Sequence, residues 1–356
     1  MKQSKQARAK IAILIVAVLA ILAVFPTFFD DDSNAPSGVA LTPGADSLEI
    51  VFIDVGQADS IFLSCKGEHM LIDSGNIADS DLIFAFLEER GIESLKYVIN
   101  THPHEDHVGG LPAAFKAAAV ETVYSGVEDS TLVPFKNLKK AAEKQGLSIT
   151  VPEMGSKITL GSAELTFLSP LREHEILNNM SLVIRLVHGK NSFLFTGDME
   201  RDEELDIINA GYDLDVDVLK LGHHGSSTSS SYIFLNEVMP TYGIISCGAN
   251  NDYGHPHEEV LSKARDAEIK LFRTDMQGSV TCISNGEGLS FSTERNFDSV
   301  TNPKEQRDVL YIGNKRSMIL HLPTCDGLPQ GKNRVEFDNF SEGYKLGYTA
   351  CYNCLK

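Results

Sequence analysis

Short apolar segments separated by tight polar connections recur along the chain from Ser47 onward. Segments of this length and composition are typical of buried strands. Those that predict strands are 47–55, 59–65, 69–75, 96–101, 163–169, 181–187, 191–197, 216–222 and 242–248. Apolar residues at helical spacing predict helices over 80–91, near 200–210 and over 257–267. The alternation predicts a mixed α/β domain with its functional side chains on the loops that follow strands.

The N-terminal segment has a different pattern, an apolar and uncharged run from Ile11 to Phe29. A helix of this length spans roughly 29 Å, close to the thickness of the hydrocarbon core of a bilayer. The residues before it carry four basic side chains and no acid, so the positive-inside rule places the rest of the chain outside the cytoplasm. We expect an uncleaved anchor in a bacterial membrane, with the rest of the chain extracellular. A cleaved signal peptide and secretion are the alternative.

Polar, aperiodic stretches divide the chain into five segments. We predict a membrane anchor over 1–29, a Ser- and Pro-containing linker over 30–46, a main domain over 47–292, a second linker over 293–306 and a small C-terminal module over 307–356. No protein partner can be inferred from the sequence.

Charge changes the picture of possible ligands. The chain has 31 basic and 49 acidic residues, a formal net charge of −18. The segment from Thr301 onward contains 8 basic and 6 acidic residues, so the excess of acid lies before it. A broad basic surface for nucleic acid is therefore absent, which counts against tight, sequence-independent DNA binding by the main domain.

The strongest chemical signal is THPHEDHVGG, residues 101–110, at the end of a predicted strand. It contains His102, His104, Asp106 and His107 within six residues. Imidazole and carboxylate are the ligands that suit zinc and similar divalent ions. On a turning loop, alternate side chains can face two neighbouring metal positions.

This motif resembles the signature of the metallo-β-lactamase-fold hydrolases. LIDSGN (71–76), FTGDM (195–199) and LGHHGS (221–226) resemble the other motifs of that superfamily, in the same order. Within it, segments such as FIDVGQADS (52–60) and YGHPHEEVL (253–261) are similar to the C-terminal hydrolase domain of ComEC-type DNA-uptake proteins. The resemblance implies a four-layer αββα sandwich over the main domain.

The resemblance also implies a site for two divalent ions, zinc or manganese. It assigns His102 and His104 to the first ion and Asp106 and His107 to the second, with Asp198 bridging. His223 or its neighbour His224 would complete the second site, and Asp73 would orient a ligand imidazole. Most of the superfamily supplies a further histidine to the first ion, whereas that window here holds Asn178 and Asn179. An amide is a poorer zinc ligand, so with Asn179 the first site would be weaker, would bind manganese or would be empty.

Such ions would generate a hydroxide nucleophile and polarise the substrate. The candidates for catalytic residues are Asp106, Lys220 as a cation for phosphate, and His255 and His257 for binding phosphate or protonating a leaving group. SSTSSS (226–231) offers hydroxyl and backbone N–H groups as a phosphate cradle. The alternative interpretation of Lys220 is a solvated lysine, and that of residues 226–231 is a serine-rich connector without a ligand.

The C-terminal module contains half of the cysteines. His321, Cys325, Cys351 and Cys354 have the spacing of a Cys₃His zinc site, which would provide folding energy to a module with a small core. A disulfide is the alternative in an extracellular compartment.

The module resembles the zinc-binding module of Ada-type DNA repair proteins, with His321 where those have a methyl-accepting cysteine. This implies a zinc-stapled α+β fold and contact with DNA, but no methyl transfer. Basic side chains that could meet phosphates are Lys315, Arg316, Lys332, Arg334 and Lys345.

These observations predict a membrane-anchored, metal-dependent phosphodiesterase whose substrate is DNA. One alternative is a phosphodiesterase for cell-wall polymers or lipid head groups. Another is a non-catalytic DNA-binding protein with a degenerate hydrolase fold.

Overall fold

The computed structural model describes residues 44, 46–303, 311–329, 331–337 and 340–355. The predicted anchor at 1–29 and nearly all of the predicted linker at 30–46 lie outside these residues. None of the helices in the described ranges combines the length and the apolar character needed to cross a bilayer.

The first sheet has eight strands in the order β15-β14-β1-β2-β3-β4-β5-β6. Its strands are β1 (Leu48–Phe52), β2 (Ser60–Cys65), β3 (Glu68–Ser74), β4 (Ser94–Asn100), β5 (Ala119–Ser125), β6 (Ile149–Thr150), β14 (Val280–Ser284) and β15 (Leu289–Thr293). Strands β3 to β6 are parallel to one another, and the other pairs are antiparallel. The parallel pairs bring the carboxyl ends of β3 and β4 to one edge.

The second sheet has seven strands in the order β13-β12-β11-β10-β9-β8-β7. Its strands are β7 (Lys157–Leu160), β8 (Ala163–Ser169), β9 (Val183–His188), β10 (Asn191–Phe195), β11 (Val218–Lys220), β12 (Tyr242–Ile245) and β13 (Lys270–Arg273). Strands β10 to β13 are parallel, so the ends of β10 and β11 also share one edge.

The two sheets pack face to face, with helices on both outer faces. In β1, Leu48, Ile50 and Phe52 pack in the core between the sheets, whereas Val51 packs in the core beneath the helices. Side chains of a strand alternate between its two faces, so a strand covered on both sides is apolar throughout. This explains why the sequence shows continuous apolar runs, and it produces four layers, as predicted.

Helices of the first outer layer are α1 (Ser80–Glu89), α2 (Glu105–Val108), α3 (Leu111–Ala117) and α4 (Val133–Lys144). Those of the second are α5 (Arg201–Asn209), α6 (Tyr232–Val238), α7 (Glu258–Asp266) and the short α8 (Thr274–Gln277). The predicted helices at 80–91, 200–210 and 257–267 correspond to α1, α5 and α7. Helix α1 buries Ile83 and Leu87, one turn apart on a single face.

The C-terminal module contains a third, small sheet in the order β18-β16-β17-β19. Its elements are β16 (Tyr311–Asn314), β17 (Ile319–His321), β18 (Arg334–Phe337), α9 (Phe340–Lys345) and β19 (Thr349–Ala350). Its buried side chains form one cluster that includes Tyr232 of α6, so the module packs directly on the main domain.

Candidate metal centre

The polar side chains of the site lie at strand ends that the two sheets bring together. Asp73 lies at the end of β3, the HPHEDH segment follows β4, Asp198 follows β10, and the His223–His224 pair follows β11. The carboxyl edge of parallel strands is where α/β folds place ligand-binding side chains.

Four side chains form the centre of the site: Asp106, His107, Asp198 and His224. One donor atom from each lies within 4.8 Å of the others. His107 Nε2 is 3.2 Å from Asp198 Oδ1, and His224 Nε2 is 3.2 Å from Asp106 Oδ2 and 3.5 Å from Asp198 Oδ2. We call these four residues the acid–histidine cluster.

His102 and His104 adjoin this cluster. His102 Nε2 lies 3.0 Å from His104 Nδ1, and the ring centroids of His102 and His107 are 4.2 Å apart. The structure therefore brings together the six residues His102, His104, Asp106, His107, Asp198 and His224.

Buried carboxylates fix the two imidazoles of the cluster from behind. Asp73 Oδ2 lies 2.8 Å from His107 Nδ1, and Thr101 donates to Asp73 from both its backbone N–H and its hydroxyl. On the other side, His224 Nδ1 donates to the Ser246 carbonyl at 3.0 Å and lies 3.3 Å from Asp59 Oδ1.

Sequence reasoning did not single out Asp59. It lies inside the FIDVGQADS segment, but nothing local in the sequence shows that it faces an imidazole from LGHHGS. Lys220 Nζ pairs with Asp59 Oδ2 at 2.9 Å, and both side chains are almost fully buried. Lys220 is thus a buried counter-ion, which differs from our expectation of a cation that faces phosphate.

Two other predicted ligands lie differently from expectation. Asn179 Oδ1 accepts a hydrogen bond from the Glu200 backbone N–H at 2.9 Å, so this oxygen is already engaged. His223 lies at the rim, where its Nδ1 is 3.1 Å from Thr228 Oγ1 and 3.3 Å from Glu200 Oε1. Its Nε2 is 3.7 Å from Asp198 Oδ2, whereas His224 lies within the cluster.

The electrostatics of the cluster are those of a cation site. Burial would lower the pKa of His107 and His224, but the neighbouring carboxylates, Asp198 foremost, raise both pKa values well above the usual range. Burial would raise the pKa of Asp106 and Asp198, yet the adjacent imidazoles hold it below its usual value. The carboxylates are therefore ionised, and the positive charge beside them is that of the protonated imidazoles or of a metal ion that replaces their protons.

Two atoms of the cluster also lack conventional partners. His107 Nε2 and Asp198 Oδ1 are buried and lie 3.2 Å apart, but neither makes a well-aligned hydrogen bond, to the other or elsewhere in the described residues. Buried polar atoms without partners are uncommon and point to an absent ion or water. A set of imidazoles and carboxylates fits a divalent ion such as zinc or manganese.

A cleft of about 330 Å³ opens onto the cluster. His255 lines it, and burial together with three neighbouring histidines lowers the pKa of His255 to about 4. Gln57 Nε2 lies 3.2 Å from His255 Nδ1, which makes Nδ1 the acceptor and leaves the proton on Nε2. His257 is instead engaged on both nitrogens, by the Ser227 N–H and the Tyr253 carbonyl.

The serine-rich loop is only partly free to bind a ligand. The backbone N–H groups of Ser230 and Ser231 donate to the buried carboxylate of Glu204, and Ser231 Oγ caps α6. The hydroxyl of Ser229 donates to the Met199 carbonyl. The Ser227 N–H donates to His257 and the Thr228 N–H to Ser226 Oγ, so the backbone N–H groups of Ser227, Thr228, Ser230 and Ser231 are all engaged and do not form the predicted phosphate cradle.

A second candidate centre lies in the C-terminal module. Donor atoms of His321, Cys325, Cys351 and Cys354 all lie within 4.8 Å of one another, and the three cysteines are unpaired thiols. Of the basic residues predicted to meet phosphate, Arg334 pairs with Glu336 and Lys345 pairs with Glu268.

Comparisons with known proteins place these features in context. The model of the metallo-beta-lactamase superfamily matches residues 53–249. The chain is 30% identical to ComE operon protein 3 of Bacillus subtilis (strain 168) in an alignment of 270 residues that covers 70% of this chain and 35% of that protein. It is 33% identical to competence protein ComA of Neisseria gonorrhoeae over 230 residues, which cover 64% of this chain and 31% of that protein.

The chain thus spans about a third of the length of these curated relatives. Among solved structures, the metallo-beta-lactamase fold protein YhfI from Bacillus subtilis aligns with a TM-score of 0.46 at 15% identity and covers 64% of this chain and 96% of that one.

Proposed function

Because the chain belongs to the metallo-beta-lactamase superfamily, we propose that it is a metal-dependent phosphodiesterase that hydrolyses DNA. The acid–histidine cluster, with His102 and His104 beside it, is the observation that carries the hydrolytic part. Similarity to proteins named for competence supports nucleic acid as the substrate.

The ligand roles follow from the donor atoms. His102 and His104 would hold one divalent ion, and Asp106, His107 and His224 would hold a second. Asp198, which contacts His107 and His224, would be shared between them. When bound, such ions supply Lewis-acid activation of water and neutralise charge on the phosphoryl oxygens.

The surrounding side chains orient these ligands and the substrate. Asp73 holds the imidazole of His107, and the Ser246 carbonyl with Asp59 beside it holds that of His224, so that both Nε2 atoms are turned into the cluster. His255 is neutral near pH 7 because its pKa is lowered to about 4, so its Nε2–H donates a hydrogen bond to a phosphate oxygen in the cleft.

The remaining parts of the proposal concern location and the C-terminal module. We infer that residues 1–29 anchor the chain in a bacterial membrane with the hydrolase domain extracellular, as the basic–apolar pattern favours. We also infer that the Cys₃His group holds a structural zinc ion and that the module contacts DNA.

The test uses the full chain, purified in detergent with its metals quantified and then assayed on single- and double-stranded DNA with zinc or manganese. We expect cleavage by the native chain and a loss of about a hundredfold or more in His102→Ala and Asp198→Ala. Asp213→Ala is the matched control, because this exposed carboxylate pairs with Arg185 outside the cleft.

Two results would contradict the proposal. Bound metals with turnover of a simple phosphodiester but no DNA cleavage would favour cell-wall polymers or lipid head groups as substrates. DNA binding without bound metal in the cluster or any hydrolysis would favour the non-catalytic alternative.

A further inference from the structure

A second cleft, of about 270 Å³, lies beside the metal cleft and has no role in the proposed chemistry. We call it the flanking cleft. Its lining side chains include Asn179, Arg201, Ser227, Thr228, Ser231 and Lys263.

The flanking cleft and the metal cleft share a wall. Glu200 and Thr228 line the flanking cleft, and His223 lines the metal cleft. His223 Nδ1 contacts both of the other two side chains, at 3.1 Å to Thr228 and 3.3 Å to Glu200. The flanking cleft is therefore the neighbouring cavity that a ligand too long for the metal cleft would reach on this side.

Two cationic side chains suit the flanking cleft to a phosphate. Arg201 Nη2 is buried and has no hydrogen-bond partner within the described residues. Lys263 is 6% exposed and lies near Glu204. The cleft also contains Glu200 and Asp202, but Glu200 is engaged by Asn178 and His223. An unpaired guanidinium donor held in place is a good partner for a phosphate oxygen.

The C-terminal module adds an aromatic side chain to the same place. The guanidinium carbon of Arg201 lies 4.7 Å from the ring centroid of Tyr352. Tyr352 stands between the two cysteines of the Cys351–Cys354 pair and is 59% exposed. An exposed aromatic ring beside a cation is typical of surfaces on which nucleobases stack.

The position of Tyr352 is fixed by the docking of the module. The hydroxyls of Tyr311 and Tyr232 bond to each other and to Asp266 of α7, and Tyr344 donates to the Asn236 carbonyl at 2.9 Å. The ring of Phe340 stacks on Tyr232 with centroids 4.5 Å apart. These contacts hold the module against the helices that border the flanking cleft.

We propose that the flanking cleft and Tyr352 together bind the nucleotides next to the scissile bond of a single-stranded polynucleotide, with a phosphate on Arg201 and a base stacked on Tyr352. This inference rests on the proposed function, because it assumes that the metal cleft acts on a nucleic acid. It adds that the substrate is a strand several nucleotides long and that the C-terminal module contributes to the site.

The experiment measures binding apart from turnover. Fluorescence anisotropy follows a labelled single-stranded oligonucleotide of about ten nucleotides on the full chain carrying the non-cleaving Asp198→Ala substitution. We expect Tyr352→Ala and Arg201→Ala each to weaken binding by about fivefold or more, and Tyr352→Phe to retain it because the ring remains. Leu346→Ala, an exposed apolar residue of the same module, and Lys157→Ala, an exposed cation paired with Glu164, are the matched controls.

A second measurement follows KM and kcat for cleavage of the same oligonucleotide by the metal-loaded chain. Tyr352→Ala should raise KM with little change in kcat, since stacking holds the strand and not the reacting phosphate. Zinc content and thermal unfolding of each variant exclude a displaced module as the cause.

The outcomes separate this inference from the proposed function. Cleavage of DNA by the native chain, with binding unaffected by Tyr352→Ala, would overturn the stacking site and leave the proposed function intact. Binding that depends on Tyr352, without any cleavage by the native chain, would support the stacking site and contradict the proposed function. A loss with Arg201→Ala but none with Tyr352→Ala would show that the flanking cleft holds only the phosphate of the strand, and it would overturn the stacking of a base on Tyr352.

Discussion

At the scale of single residues, the buried pair between Lys220 and Asp59 lies directly behind His224 of the acid–histidine cluster. Burial opposes ionisation of Asp59, but the Lys220 ammonium and the His224 imidazole lower its pKa to about 2. Asp59 therefore remains a carboxylate at neutral pH, with one oxygen on Lys220 and the other facing His224. Removing one partner leaves a buried, uncompensated charge.

We expect Lys220→Met to destabilise the chain by about 3–5 kcal/mol. The matched control Lys157→Met removes an exposed ion pair with Glu164 and should cost less than about 1 kcal/mol. Urea unfolding of both variants measures the difference. The double variant Lys220→Met with Asp59→Asn should recover most of the loss, and equal effects of the two lysine substitutions would contradict this account.

Glu203 offers a test by pH. Its carboxyl is fully buried in the first turn of α5, and neither oxygen has a hydrogen-bond partner in the described part of the chain. Burial, with a contribution from Asp206, raises the pKa of Glu203 to about 10. Between the unfolded pKa near 4.5 and this value, the Glu203 carboxyl is protonated in the folded chain and ionised in the unfolded chain. The free energy of unfolding therefore falls as pH rises, by about 1.4 kcal/mol per pH unit.

Glu203→Gln removes this dependence. We expect the variant to be more stable than the native chain by about 3 kcal/mol at pH 7 and by less than about 1 kcal/mol at pH 5. Thermal unfolding at the two pH values measures this, with the exposed neighbour Asp202→Asn as control. A gain of equal size at both pH values would show that the Glu203 carboxyl ionises in the folded chain.

At the scale of elements, the turn between β10 and Asp198 determines where the shared carboxylate of the site lies. Gly197 has a φ of +52°, and a Cβ added there would lie 2.9 Å from both Cβ and Oγ1 of Thr101. Thr101 in turn donates to Asp73, so crowding at Gly197 would disturb the support of His107 as well.

We expect Gly197→Ala to lower metal content and DNA cleavage and to destabilise the chain by about 1–3 kcal/mol beyond the cost of its φ. Gly211→Ala is a matched control, because Gly211 has a φ of +75° with open space around its Cβ position. Both variants bear the conformational cost, so only the difference between them measures crowding. Equal stability and equal metal content in the two would contradict the role of this turn.

Most of the elements that end at the site could be predicted from the sequence, but the contacts between them could not. Apolar runs predicted the strands that end at the site, because strands buried on both faces are apolar throughout. Nothing in the sequence shows that Lys220, which we expected to face phosphate, pairs instead with a carboxylate from the distant FIDVGQADS segment. The choice between His223 and His224 was likewise open, since adjacent side chains diverge and only the fold shows which one enters the cluster.

At the scale of the whole molecule, the C-terminal module borders the flanking cleft. The sequence predicted the metal-binding pattern of the module from the spacing of His321 and three cysteines, and the fold brings those side chains together. It gave no signal that Tyr352 would meet Arg201, because that contact depends on how the module docks against α6 and α7. The contact between the C-terminal module and the main domain can therefore be seen only in the tertiary structure.

The net charge of −18 makes a further prediction about nucleic-acid binding. A chain with this charge repels a polyanion, so binding must depend on a few placed cations and on stacking, not on a broad basic surface.

For single strands, the logarithm of affinity falls with the logarithm of salt concentration by about 0.7 for each phosphate neutralised. Arg201 and Lys263 in the flanking cleft would therefore give a slope of about −1 to −2. Anisotropy titrations of the Asp198→Ala chain across a range of salt concentrations measure this slope, and adding Arg201→Gln should make it shallower by about 0.7. A slope of about −5 or steeper would require many more cationic contacts than this cleft contains, and the strand would then have to follow a different surface.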